Sequence, residues 1–198
     1  MSMFRRGLAR KAILPIAALA LVAGCAPTFE ARVARFSQLP PPSGQSFVIE
    51  SRDPEKAGGL EFATYANLVR QRLLANGFVE AASPAQASLA VQLDYNVGPP
   101  REKVQTRPGG WGGGWGPEVY SVTQYNSQLA MKIVRSADKA SVFEGRAETI
   151  STSNNLTKLV PNLVTAIFTN FPGNSGETVR VKFDPTQPAK PATVRPLR

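Results

Sequence analysis

The sequence predicts an α+β fold: a two-layer sandwich in which one mainly antiparallel or mixed, curved sheet carries two helices on one face. Three observations predict it. Segments of alternating polarity recur along the chain, and two segments with three-and-four spacing interrupt them, so strands and helices are mixed. The strand segments are apolar on one side only, whereas a sheet covered on both faces would read as continuous apolar runs. Apolar residues make up 42% and charged residues 19% of 198 residues, which suits one packed domain and not a disordered chain.

The elements follow in order. Phe29–Leu39 (FEARVARFSQL) alternates as a first strand, and Pro40-Pro41-Pro42-Ser43-Gly44 stops it. Gln45–Ser51 is a second, short strand, and a loop from Pro54 to Gly59 follows. Leu60–Asn76 reads as a helix: Phe62, Tyr65, Ala66, Val69 and Leu73 share a face, Gly77 suits the position just past its end, and Arg70 and Arg72 suit the dipole. Phe78–Glu80 is a short edge segment. Ser88–Val97 alternates without a miss through Leu89, Val91, Leu93, Tyr95 and Val97, until Gly98-Pro99-Pro100 ends it.

The segment 98–118 differs from the rest. It is a Gly/Trp-rich loop in which Trp111 and Trp115 stand among glycines, and no regular core element is expected in it. Val119–Tyr125 and Ser127–Arg135 resume as strands, the latter with Leu129, Met131 and Ile133 on one face. After a loop, Ser141–Ser151 returns with Phe143, Gly145, Ala147 and Thr149 on one face. Leu159, Leu163, Ala166 and Ile167 mark a second helix. Pro161 is tolerated only in a first turn, so that helix should begin near Lys158–Val160 and end at Phe171-Pro172-Gly173. Glu177–Phe183 is a last strand. The domain spans 29–184, and the Pro-rich tail 185–198 reads as extended and disordered.

The N-terminus carries the most specific signal. Arg5, Arg6, Arg10 and Lys11 precede the apolar run Ala12–Val22, the n-region and h-region of a secretory signal over residues 1–24. That run falls short of the roughly 20 residues a bilayer span needs. Val22-Ala23-Gly24-Cys25 resembles the lipobox of bacterial lipoproteins. The resemblance implies cleavage before Cys25, a diacylglyceryl group on its thiol and a third acyl chain on the freed amine. Two or three chains anchor stably where one does not. Residues 25–28 are then a lipidated tether, and Ala26 rather than Asp implies sorting to the outer membrane. Removing the signal takes four positive charges from a formal net +9 and leaves +5, of which Lys190, Arg195 and Arg198 supply three from the tail. Lys and Arg are otherwise scattered singly, so no nucleic-acid partner is expected.

Histidine is absent and Cys25 is the only cysteine. This removes a His general base, a Ser-His-Asp or Cys-His arrangement, a His/Cys zinc site and an internal disulfide. Glu144 and Glu148 lie on one strand face about 13 Å apart at 3.3 Å per residue. Paired catalytic carboxylates stand about 5–9.5 Å apart. With Arg146 between them they read as a solvated charge stripe. Asp94 likewise faces solvent. Neither a catalytic residue nor a metal ligand is assigned, and no cofactor is expected beyond lipid on Cys25. Trp111 and Trp115, exposed on a glycine scaffold, are the candidate contact residues.

The order of these features resembles a bacterial lipoprotein family, domain of unknown function 4136. The features are the lipobox, a first helix ending Leu73-Leu74-Ala75-Asn76-Gly77-Phe78, the Ala87–Tyr95 strand, the loop Gly109–Gly116, and a last helix ending Ile167-Phe168-Thr169-Asn170-Phe171-Pro172. The resemblance covers about Ala31 to Pro172 and brings no catalytic residues. The Glu177–Phe183 strand and the tail depart from it. It implies an envelope lipoprotein. The expected function is a non-catalytic binding or structural module, anchored by acyl chains on the periplasmic side of the outer membrane, with an envelope protein or peptidoglycan as its other contact. The alternative is an accessory partner of an envelope assembly for transport or peptidoglycan synthesis, and a cell-wall or lipid hydrolase is the third reading.

Overall fold

A computed structural model describes residues 27–107 and 118–197. The lipobox residues Val22, Ala23, Gly24 and Cys25, and Trp111 and Trp115, lie outside the described residues. The elements are β1 (Phe29–Ser37), β2 (Ser46–Ser51), α1 (Leu60–Ala75), β3 (Val79–Glu80), β4 (Leu89–Val97), β5 (Arg101–Arg107), β6 (Glu118–Arg135), β7 (Ser141–Ser151), α2 (Leu156–Phe168), β8 (Thr178–Phe183) and β9 (Thr193–Pro196). They form one mixed nine-stranded sheet with two helices, a sheet-dominated α+β fold. The strand order is β3-β2-β4-β6-β7-β1-β8-β9, with β5 on β6 off this path. The parallel pairs are β2 with β3 and β2 with β4, and α1 lies in the β2–β4 connection. Both ends of the path are blunt: β3 has two residues and β9 has four, with Pro196 on the edge.

The core forms where the alternation predicts. Leu89, Val91, Leu93 and Tyr95 of β4, Leu129, Met131 and Ile133 of β6, Phe143 and Ala147 of β7, and Ala31 and Val33 of β1 are buried in one cluster with Tyr65, Val69, Leu73, Leu163 and Ile167 of the helices. Helix α1 ends as its sequence dictates. Gly77 takes a φ of +89°, the Phe78 N–H bonds the Leu73 carbonyl at 3.2 Å and the Gly77 N–H bonds that of Leu74 at 3.0 Å. At Gly145 a side chain would not fit: a Cβ there would lie 2.7 Å from Phe143 Cε1 and 3.1 Å from Ile167 Cδ1, so the glycine lets α2 close onto β7.

Four expectations are corrected. The irregular segment expected over 98–118 is strand at both ends. Arg101–Arg107 pairs antiparallel with Glu118–Gln124. Between Gly98 and Gly109 there is no glycine, and Val104, Thr106, Val119, Tyr120 and Val122 favour extended backbone. The strands read as Val119–Tyr125 and Ser127–Arg135 are one strand of 18 residues, β6, continuous from the ladder with β5 into those with β4 and β7.

Helix α2 begins at Leu156, earlier than Pro161 suggested, because Asn155 Oδ1 accepts the Lys158 N–H and fixes the start there. Pro161 then sits in the second turn. Seven buried residues, among them Leu159, Leu163, Ile167 and Phe168, offset its cost. Each large apolar side chain contributes about 1.5–3 kcal/mol on full burial, against about 3 for an interior proline.

The tail, expected to be disordered over 185–198, is ordered along β8. Asp184 accepts from the Thr186 N–H (2.8 Å), the Thr186 hydroxyl (2.6 Å) and Gln187 (2.8 Å), which turns the chain back. Val194 then packs against the core and β9 pairs with β8.

Candidate functional site

Alternation that buries one set of strand residues presents the other set together. The positions facing away from the core include Glu30, Arg32, Ala34 and Phe36 on β1, Glu144, Arg146, Glu148 and Ile150 on β7, Ala130 and Lys132 on β6, Gln92 and Asp94 on β4, Arg180 and Lys182 on β8, and Arg195 on β9. Register fixes their neighbours. Arg195 stands opposite Arg180, Arg180 opposite Arg32, and Arg32 opposite Glu148. Three arginines from three adjacent strands therefore form one row. One row along, Ala34 faces Arg146, which faces Ala130; in the next, Phe36 faces Glu144, which faces Lys132. A depression of about 600 Å³ lies over this face, bordered by Arg32, Phe36, Arg52, Lys132 and Arg146.

The charges are unevenly matched. Glu30 takes both Arg180 Nε (3.2 Å) and Lys182 Nζ (3.9 Å). Glu148 is 3.7 Å from Arg146, and Glu144 is 3.2 Å from Lys132. Arg32, Arg52 and Arg195 have no ion pair among the described residues. A hydrogen bond from the Ser141 hydroxyl (2.9 Å), and then Lys132, hold the Glu144 carboxyl below its ordinary range. Glu144 and Glu148 are thus each engaged by a cation and do not converge. Asp94, expected to be merely solvated, binds Lys56 at 2.9 Å. Lys56 also donates to the Tyr95 carbonyl (2.8 Å), lies 3.5 Å from Asp53 and sits 4.8 Å above the Tyr95 ring. Burial disfavours the Lys56 charge, but Asp94 and Asp53 outweigh it and raise its pKa.

A second feature is the ribbon of β5 and residues 118–124 of β6. Beyond Tyr125, where β7 stops pairing, β6 is bonded to β5 alone among the described residues. Seven residues at 3.3 Å make this a projection of about 23 Å. Arg107 lies 5.6 Å over the Tyr120 ring, and Glu102 accepts from Ser121 and Thr123, which lowers its pKa.

Arg35 escaped notice in the sequence, where it is one cation among several in FEARVARFS. It is 1% exposed. Its guanidinium donates to the Thr169 carbonyl (2.6 Å), the Asn170 carbonyl (3.2 Å), the Ala166 carbonyl (3.4 Å) and Glu177 Oε1 (3.1 Å), which fastens β1, the end of α2 and the start of β8 together. Burial lowers its pKa and Glu177 works against that. Alternation with Ala31 and Val33 was the available signal for its burial. The same rule applied to TVRVKF and TVRP would have put Arg180, Lys182 and Arg195 on the opposite face.

The described part is thus a sheet-dominated α+β domain that carries buried residues on one side of its strands and an arginine-rich set on the other. The chain belongs to the family described as Domain of unknown function (DUF4136), whose model matches residues 33–173. No curated protein matches it. Among solved structures it is similar to a PDZ domain protein from Parabacteroides distasonis, at 14% identity and a TM-score of 0.52 over 78% of this chain. The match spans only 38% of that protein's chain, and the likeness is one of fold alone. It also matches the PelC dodecamer from Paraburkholderia phytofirmans in two crystal forms. One form, of a single-substitution variant, gives 11% identity, TM-score 0.41, 69% of this chain and 93% of that one; the other gives 10%, 0.42, 69% and 94%.

Proposed function

We propose that this protein is a lipid-anchored lipoprotein of the periplasmic face of the outer membrane, a non-catalytic contact module whose open sheet face is its working surface. The observation that carries the reading is the lipobox Val22-Ala23-Gly24-Cys25 after a cationic, apolar leader, placed immediately before the first strand. The fold proposed for it is a two-layer sandwich with both helices on one face. Supporting this, strand alternation is one-sided, α2 contacts β1, β4, β6 and β7, and α1 touches α2 through Arg72 and the Thr165 hydroxyl at 3.1 Å. Supporting a contact role over chemistry, Glu144 and Glu148 on this face are each tied to a cation. Acyl chains are the only covalent group proposed.

Labelling with palmitate in cells tests the anchor. Wild type should carry label and partition with membranes, and Cys25→Ala should lose both; equal labelling overturns the reading. A second reading, an accessory role in an envelope assembly, draws on the β5–β6 ribbon, whose outer backbone edges pair with nothing else among the described residues and are templates for a partner strand. A photocrosslinker at Val104, 68% exposed on that ribbon, should then give one discrete adduct with an envelope protein, and its absence sinks that reading.

A further inference from the structure

We infer that Arg32, Arg180, Lys182 and Arg195 form a seat for the phosphates of anionic lipid headgroups, so that the corner of the sheet made by β1, β8 and β9 lies against the membrane that holds the chain. The inference rests on the anchored reading above for its orientation, but the seat is argued from the fold.

Like charges directly opposite on neighbouring strands destabilise a sheet. Here Arg32, Arg180 and Arg195 are directly opposed across two ladders. Within the described residues the relief is partial. Glu30 is shared by Arg180 and Lys182, and Glu148 opposes Arg32 in register yet turns to Arg146. Neighbouring strands stand about 4.8 Å apart, so the row offers three planar donors on a pitch that spaced phosphates can bridge.

Position identifies the source of those phosphates. Arg32 follows Phe29, the first residue of β1, by three residues. The link from Cys25 to Phe29 spans at most about 14 Å at 3.3–3.6 Å per residue. A thioether-linked lipid on Cys25 therefore keeps this corner within reach of the headgroups. The same face carries two large exposed apolar side chains, one to either side of the arginine row: Ile150, 69% exposed, and Phe36, 62% exposed. Cations flanked by exposed apolar groups are the chemistry of a membrane interface, where juxtamembrane basic residues are drawn to anionic lipid. A free inorganic anion would make no use of Ile150 or Phe36.

The test uses the full chain carrying Cys25→Ser, so that no thioether contributes and the leader is common to every arm. Cosedimentation is measured with phosphatidylcholine vesicles, with and without phosphatidylglycerol, at physiological salt. Phosphatidylglycerol should strengthen binding. Arg32→Gln with Arg180→Gln and Arg195→Gln should remove about a hundredfold of that gain, three cations at about 1 kcal/mol each. The triple Lys variant should retain most of it. Arg101→Gln with Lys103→Gln and Arg107→Gln removes equal charge from the ribbon and should leave binding unchanged. The inference is overturned by no phosphatidylglycerol preference, by equal loss in the two Gln triples, by displacement with millimolar inorganic phosphate, or by equally tight binding of a short oligonucleotide. Because the assay needs no lipidated cysteine, its failure is separable from failure of palmitate labelling.

Discussion

The Arg35 guanidinium donates to the carbonyl oxygen of Thr169 at 2.6 Å, so a side chain from the first strand closes the C-terminal end of the last helix. The last carbonyls of a helix have no partner within it, and a cation there also meets the negative end of the dipole. Glu177 completes the arrangement at 3.1 Å. Arg35→Ala should therefore cost about 3–5 kcal/mol, because it strips three carbonyls and the half-buried Glu177 of their donor. Arg35→Lys should cost less, since it keeps the charge but loses the fork. Urea unfolding of both variants checks this; a loss below about 1 kcal/mol for Arg35→Ala would show the carbonyls satisfied by other means.

Gly145 gives a second prediction. A methyl group there meets Phe143 and Ile167, so Gly145→Ala should destabilise by about 1–3 kcal/mol through overpacking. Phe143 belongs to the same strand and has little room to yield, whereas Ile167 can be trimmed. Adding Ile167→Val to Gly145→Ala should recover part of the loss, beyond the sum of the single effects. Strict additivity of the two in thermal melts would show that α2 does not press on this glycine.

Leu93 is 1% exposed, and its neighbour Gln92 faces the other way. Leu93→Ala should cost about 2–5 kcal/mol, a core truncation, while Gln92→Ala stays within about 0.5 kcal/mol. Similar melting shifts for the two would contradict the register.

Much of this was legible in the sequence, and the reason is periodicity. Where one face is buried, as in SLAVQLDYNV, side chains alternate and the strand reads itself; where a helix has a glycine stop, as at Gly77, its end does too. The failures share a cause as well. Neither β5 nor β9 has a buried residue, so neither leaves an apolar pattern to find. The arginine row is spread over positions 32, 180 and 195 and exists only through pairing. Arg35 was hidden by its type, since a guanidinium at a core position becomes intelligible only once the helix end above it is known.

A fourth prediction concerns alkaline pH. Burial above all pushes the Tyr65 phenol up to about 12 from 10.0; the Thr157 hydroxyl works against this and Glu61, which accepts the phenol hydrogen at 2.9 Å, adds to it. The folded state favours the neutral phenol, so this group contributes stability that is complete below pH 10 and is lost as pH climbs toward about 12. Unfolding free energy followed across that window should fall more steeply for wild type than for Tyr65→Phe. Matching slopes would mean that Tyr65 titrates alike in both states.

The ribbon supplies a fifth. Among the described residues β5 pairs on one side only and has no buried residue, and an isolated two-stranded hairpin is marginal in water. Amide hydrogens of Arg101–Arg107 should exchange with solvent orders of magnitude faster than those of Leu89–Leu93, which have β2 on one side and β6 on the other. Equal protection would require a second strand beside β5.

The place of β1 has a consequence for the order in which the molecule can come together. Its two neighbours are β7 and β8, and the Arg35–Glu177 contact joins residues 142 apart. The first described strand thus has no partner until β7, which begins at Ser141, exists, and its second flank stays open until β8 follows. Closing so large a loop is entropically slow, and topologies dominated by such distant pairings fold late. A chain cut short before Glu177 would strand β1 with one flank bare, a fragment marked for proteolysis.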